Sequence, residues 1–231
     1  MSTSPSIARI ARVIATKDLR IEMRSHIVVQ QVLPFSGLVM VMFAFALDND
    51  DVLQRVAGGL VWLATLFSLF IVVQRSYAVE TSDGALDALR VAGVDSQGIF
   101  LGKSAALFVQ LLTLELLLFV LAVVLYQVQI SLDGLVLLVT CVLCATAGLA
   151  FVGTLYGGLT AGARGRETLL PLLLLPVVAP VVLSATRATE SAFLSGGAVL
   201  ADGWPWVGVL AIFAALFGIG GLLSFGALIE E

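Results

Sequence analysis

Residues 98–126 read GIFLGKSAALFVQLLTLELLLFVLAVVLY. The opening GIFLGKS imitates a nucleotide-binding loop, in which an arc of backbone N–H groups wraps a phosphate ahead of a helix. That pattern, G-x-x-x-x-G-K, needs one more residue than Gly98 leaves before Gly102 and Lys103, and Gln97 stands where its first glycine belongs. The residues that follow decide the matter. From Ala105 to Leu125 the chain is almost wholly apolar, whereas the helix after a phosphate loop packs beside a soluble parallel sheet. A run of this length instead matches a bilayer, whose hydrocarbon core of about 30 Å takes roughly 20 apolar residues in helix.

The composition extends that reading to the whole chain. Of 231 residues, 60% are hydrophobic and 12% charged, with a mean hydropathy of +1.09; a soluble domain carries about a quarter of its residues charged. The sequence is that of an all-α integral membrane protein. Six apolar stretches are long enough to be spans: 28–47, 57–73, 104–126, 134–160, 168–185 and 205–229. Each is continuously apolar, while barrel strands alternate and run about ten residues. No internal repeat appears. A cleavable leader is a poor description of the N-terminus, because the apolar run ending near Ala44 is longer than a signal core and follows a charged segment.

Lysine and arginine set the orientation. Six spans put Arg9, Arg12, Lys17, Arg20, Arg24, Arg75, Arg90, Lys103, Arg164 and Arg166 on one face, and only Arg55 and Arg187 on the other. The basic face is the cytoplasmic one, so both termini are expected in the cytoplasm, with Lys103 as an anchor where the third span begins. Trp62, Trp204 and Trp206 fall near the predicted outer ends. Residues 7–26 carry Ile7, Ile10, Ala11 and Ile14 at helical spacing with Arg9, Arg12 and Lys17 off that stripe, which predicts an amphipathic helix in the cytoplasmic interface.

Three features invite chemistry. The loop RSYAVETSDGALDALRVAGVDSQG after the second span contains a candidate short helix over 83–92, with Ser82 or Asp83 as cap and an apolar side including Leu86 and Leu89. It is too short to cross anything and is either an interfacial stabiliser or a knob for a cytoplasmic partner. Glu115 sits at mid-span, where an ionised acid costs about 2.5 to 3.5 kcal/mol, so it must face the bundle or be protonated. Its role is either a packing residue or a proton or cargo contact. Cys141 and Cys144 lack the following histidine that haem attachment needs, and small residues in a packed span explain them.

Pro171, Pro176 and Pro180 predict a kinked or locally unwound fifth span. Gly153 and Gly157 form a GxxxG spacing for close helix contact, within the chain or between subunits. A short interfacial helix is expected around 190–194. No catalytic residues, no metal site and no nucleic-acid surface are indicated, so the chain reads as a non-enzyme.

Taken together, "KDLRIEMRS" before the first span, "GGLVWLATLFSLFIVVQRSYAVETSDGALDALRVAG", Lys103, and "GTLYGGLTAGARGRETLLPLLLLPVVAPVVL" resemble the haem exporter protein B family (CcmB), the membrane subunit of the cytochrome c maturation ABC system. The resemblance covers nearly the whole chain. One departure is Ala92-Gly93, where a proline is expected after the cytoplasmic helix. What the resemblance implies is one ABC-2-like permease domain over 1–231, with 1–27 as the interfacial segment and 76–103 as the coupling segment, in a bacterial inner membrane. It implies a second copy of the chain, two copies of a separate ATPase subunit and other maturation subunits as partners. Haem is then a cargo, with no covalently bound cofactor. On this reading the helix over 83–92 couples to the ATPase: Leu86 and Leu89 seat in it, Asp83 and Arg90 make charged contacts, and Arg75 with Glu80 fixes its base. The alternatives are an ABC-2 permease for a lipid, drug or polysaccharide, a membrane scaffold, and a secondary transporter.

Overall fold

The computed structural model describes residues 6–25, 30, 32–47, 49–82, 93–161, 165–194 and 198–230. Among the described residues there are seven α-helices and no strand: α1 Ile7–Ser25, α2 Leu33–Ala46, α3 Asp50–Ser82, α4 Ser96–Tyr126, α5 Leu132–Thr160, α6 Arg166–Ala192 and α7 Gly203–Glu230. Five are long and apolar enough to cross a membrane, α3 to α7. The six-span expectation is therefore matched in five places. α2, with 14 residues, extends about 21 Å at 1.5 Å per residue, and Pro34 in its first turn marks its start. Val28, Val29 and Gln31 of the expected first span lie outside the described residues.

Several helices outrun their apolar stretches because polar residues cap them. The backbone N–H groups of Asp51 and Val52 donate to Asn49 Oδ1 at 3.0 and 3.2 Å, so the acidic break before the second span becomes the first turn of α3. Trp62 is consequently three turns into α3. It is fully buried, not a headgroup anchor, and its indole N–H donates to Thr189 Oγ1 of α6 at 2.9 Å. Asp95 caps α4 by accepting from the Gln97 N–H at 2.9 Å, eight residues before the predicted start. GIFLGKS is thus helical throughout, and from Ile99, whose N–H donates to the Asp95 carbonyl at 3.2 Å, its N–H groups are committed to the helix and unavailable to a phosphate.

α6 runs as one helix through Pro171, Pro176 and Pro180, so the expected unwinding is not seen. Pro171 has no N–H for the carbonyl of Glu167, and Gln74 Nε2 of α3 donates to that carbonyl at 3.0 Å instead. Nor is there a separate helix near residue 190: α6 continues to Ala192, and Glu190 pairs with Arg187 at 3.0 Å in its last turns.

α5 is central, packing on α3, α4, α6 and α7. Its GxxxG works within the chain. A Cβ on Gly153 would meet Leu69, Val73 and Leu107 at 3.0 Å, and one on Gly157 would overlap the Tyr77 ring. At these glycines side chains of α3, and at Gly153 also of α4, pack directly on the α5 backbone. A smaller cluster joins Ile10 and Ile14 of α1 to Ile99, Phe100, Leu155 and Phe225.

Candidate functional site

Most of the described basic residues lie at one end of the bundle, where α3 finishes and α4 begins, with Arg55 and Arg187 at the other. α1 is seated there on the two glycines of GIFLGKS. A Cβ on Gly98 would lie 2.7 Å from Ile10 Cγ2, and one on Gly102 would lie 2.7 Å from both the Ala11 carbonyl oxygen and Ile14 Cβ. Ile10 and Ile14 are spaced four apart, as are Gly98 and Gly102, so one stripe of α1 follows one stripe of α4 in the same direction. The apolar face read for a membrane interface is in part spent on α4.

The next residue on that stripe is Asp18, followed by Glu22. Lys103 Nζ lies 3.4 Å from Asp18 Oδ2, with the two side chains 2% and 8% exposed. The ammonium also donates to Ser76 Oγ at 3.3 Å and stands 4.4 Å from the centre of the Tyr77 ring, a cation–π contact strengthened by the burial of both side chains. Tyr77 in turn donates its hydroxyl to the Thr154 carbonyl of α5 at 2.7 Å. Lys17 reaches the other Asp18 oxygen at 3.1 Å, and Arg75 approaches Glu22 at 3.9 Å. Four helices, α1, α3, α4 and α5, are joined by this polar chain. Burying such a pair is expensive, and stripping one partner leaves a bare charge in a dry site.

Lys103 is therefore a clasp, more deeply placed than a headgroup anchor. Asp18, Glu22, Ser76 and Tyr77 were not singled out by the sequence reading. The available signal was Asp18 and Glu22 continuing the 10, 14, 18, 22 spacing of an otherwise apolar stripe. Of the predicted coupling residues, Arg75 lies in this cluster with Glu22 as its described partner. Glu80 belongs to the end of α3, but its side chain is outside the described residues, as are Asp83, Leu86, Leu89, Arg90 and the expected helix over 83–92. The chain re-enters through Gly93 at φ +66°, a left-handed position that suits glycine and excludes the proline expected near it.

Glu115 is fully buried between α4 and α5 and faces the bundle. The Thr146 hydroxyl is in hydrogen-bond contact with its Oε2 and with the Val142 carbonyl at 2.6 Å. Glu115 Oε1, Thr65 Oγ1 and Ser104 Oγ have no protein partner among the described residues. Cys141 is buried against the Ala185 carbonyl, 3.7 Å from its sulfur. No group of three or more His, Cys, Asp or Glu side chains is placed to hold a metal among the described residues. On the outer side of α4 and α5 runs an apolar groove of about 440 Å³ lined by Leu112, Leu116, Val120, Val124, Leu135 and Val139 among others; Glu115 does not line it.

The family model described as CcmB protein matches residues 9–223. The heme exporter protein B of Rhodobacter capsulatus is 30% identical over 175 residues, covering 74% of this chain and 78% of that protein. Its counterpart in Haemophilus influenzae is 28% identical over 204 residues, 88% of each chain. The Paracoccus denitrificans protein of the same name is 27% identical over 177 residues, covering 75% of this chain and 79% of that one.

Proposed function

The chain belongs to the CcmB protein family, and we propose from that membership that it is the membrane permease subunit of the ABC transporter that exports haem for cytochrome c maturation. The observation that carries this is a family match running through nearly all of the chain. The subunit is non-catalytic on this reading. ATP is hydrolysed by two copies of a partner ATPase, this chain pairs with a second copy of itself, and the other maturation subunits join them. The cargo event is haem passage or release of a haem-loaded chaperone.

The ATPase binds at the basic end, which faces the cytoplasm of a bacterium by the positive-inside rule. Leu86 and Leu89 enter the ATPase, with Asp83 and Arg90 at the rim and Arg75 and Glu80 at the base. Supporting this is the chain path: the segment 83–95 joins α3 to α4, the two helices held by the Lys103 clasp. A shared side for the two termini is supported by the described ends of α1 and α7: a Cβ on Gly226 of α7 would contact Ser96 at the start of α4, and one on Gly98 would contact Ile10 of α1. Six crossings complete the reading. Glu22 reaches Arg75 at the basic end, while Gln54, shortly after Leu47, donates to the Gln127 carbonyl at the opposite end at 3.5 Å. On this reading the chain between Ser25 and Leu47 makes the remaining crossing, with α2 in its second half and α1 in the interface.

The test is affinity purification of the tagged chain from its native membrane, with partner identification and a haem absorption spectrum. The expected result is an ATPase recovered with maturation subunits, and its loss in Leu86→Asp/Leu89→Asp while the chain still inserts. An ATPase without maturation subunits indicates a permease for another cargo. Recovery of no ATPase overturns the reading.

A further inference from the structure

α1 carries two acids, Asp18 and Glu22, and both turn inward, to Lys103 and Arg75. What remains on its outward side is cationic. Arg9, Arg12, Arg20 and Arg24 are exposed, and Lys17 is half-exposed. Arg12, Val13, Thr16, Lys17, Arg20 and Arg24 share one open face of α1. Val13 and Met23 lie exposed among these cations.

We infer that this face of α1 binds anionic phospholipid headgroups of the membrane that the chain spans. Charge complementarity selects the occupant. Phosphate oxygens suit the planar fork of arginine, which offers paired N–H donors, and exposed Val13 and Met23 supply apolar contact for the first carbons of an acyl chain. The inward acids matter twice. Asp18 is shared between Lys103 and Lys17 and Glu22 faces Arg75, so neither acid pairs with Arg12, Arg20 or Arg24 among the described residues, and the two acids hold α1 in the orientation that presents those arginines. This rests on placing α1 at the membrane interface, as proposed above, and does not depend on the cargo or the ATPase. Partner capture and lipid retention are separate readouts, so either can fail while the other stands.

The test uses the full chain in phosphatidylcholine nanodiscs doped with increasing phosphatidylglycerol, with native mass spectrometry counting the phosphatidylglycerol retained after release. The variant is Arg12→Gln/Arg20→Gln/Arg24→Gln, which leaves Asp18, Glu22, Lys103 and Arg75 in place. Juxtamembrane cations contribute about fivefold each in affinity for an anionic surface. The variant is therefore expected to bind phosphatidylglycerol at least tenfold more weakly, with a shallower salt dependence and an unchanged unfolding temperature in pure phosphatidylcholine. Equal retention by the two proteins, or no preference of the original chain for phosphatidylglycerol, overturns the proposal. So does a variant that loses ATPase capture with lipid retention unchanged, which would assign the face to an acidic protein surface.

Discussion

Lys103 of α4 and Asp18 of α1 meet at 3.4 Å in a place almost closed to water, 85 residues apart in the chain. Because the ammonium also lies over Tyr77 and against Ser76, α1 is held to the end of α3 and the start of α4. Under the proposed function, a push by an ATPase on the connection between those two helices would carry α1 with it.

Removing one partner of this pair should be worse than removing both. Lys103→Met leaves Asp18 with the half-exposed Lys17 as its partner among the described residues and is expected to cost about 3 to 5 kcal/mol, the range for a broken buried pair. Asp18→Leu/Lys103→Met should recover most of that loss. Thermal unfolding of the four proteins in one detergent gives the coupling directly, and additive losses would mean that the pair is not acting as a unit.

The glycine seat makes a steric prediction. Gly102→Leu places a side chain where the Ala11 carbonyl and Ile14 now sit, at a cost of about 1 to 3 kcal/mol for overpacking. α1 should lift from α4, and trypsin should then cleave at Arg9, Arg12 and Lys17 several times faster than in the original chain. Gly220→Leu, with open space around it, serves as the control and should leave the cleavage rate unchanged.

At mid-bundle, Thr146 is expected to matter more for stability than the charge of Glu115. Glu115→Gln keeps an amide within reach of the Thr146 hydroxyl and should change stability by less than about 1 kcal/mol. Thr146→Val removes the partner of Oε2 beside an Oε1 that already has no protein partner, and should cost about 1 to 3 kcal/mol. Glu115→Lys, with no described acid to meet it, should reduce folded yield sharply. If Glu115→Gln retains full haem-system function in cells, Glu115 is a packing residue and no proton carrier.

The carbonyl freed by Pro171 gives a coupling that can be measured. Gln74→Ala removes the donor to Glu167 and should cost about 0.5 to 1 kcal/mol. In a Pro171→Ala background the restored backbone N–H takes over, so the same change should cost nearly nothing. Chemical denaturation of this double-mutant cycle checks it.

What the sequence determined by itself is whatever depends on the nearest residues and the solvent. Long apolar runs have no stable home but a bilayer, so the all-helical membrane class, the five long spans and the segregation of Arg75, Lys103 and Arg166 from Arg55 and Arg187 were legible residue by residue. So was the need for Glu115 to face inward, since a carboxyl in lipid is too costly to expose. Helix ends were less legible, because Asn49 and Asp95 lengthen α3 and α4 through caps that look like ordinary loop residues. The tertiary structure alone decided what the special residues touch. Gly98 and Gly102 resemble a phosphate loop until α1 is seen seated on them, and Trp62 resembles an anchor until Thr189 is seen beside it. Lys103 reads as a surface charge until Asp18 arrives from a helix far away in the chain. Such contacts are set by how whole helices pack, and packing joins residues whose separation in sequence carries no local signal.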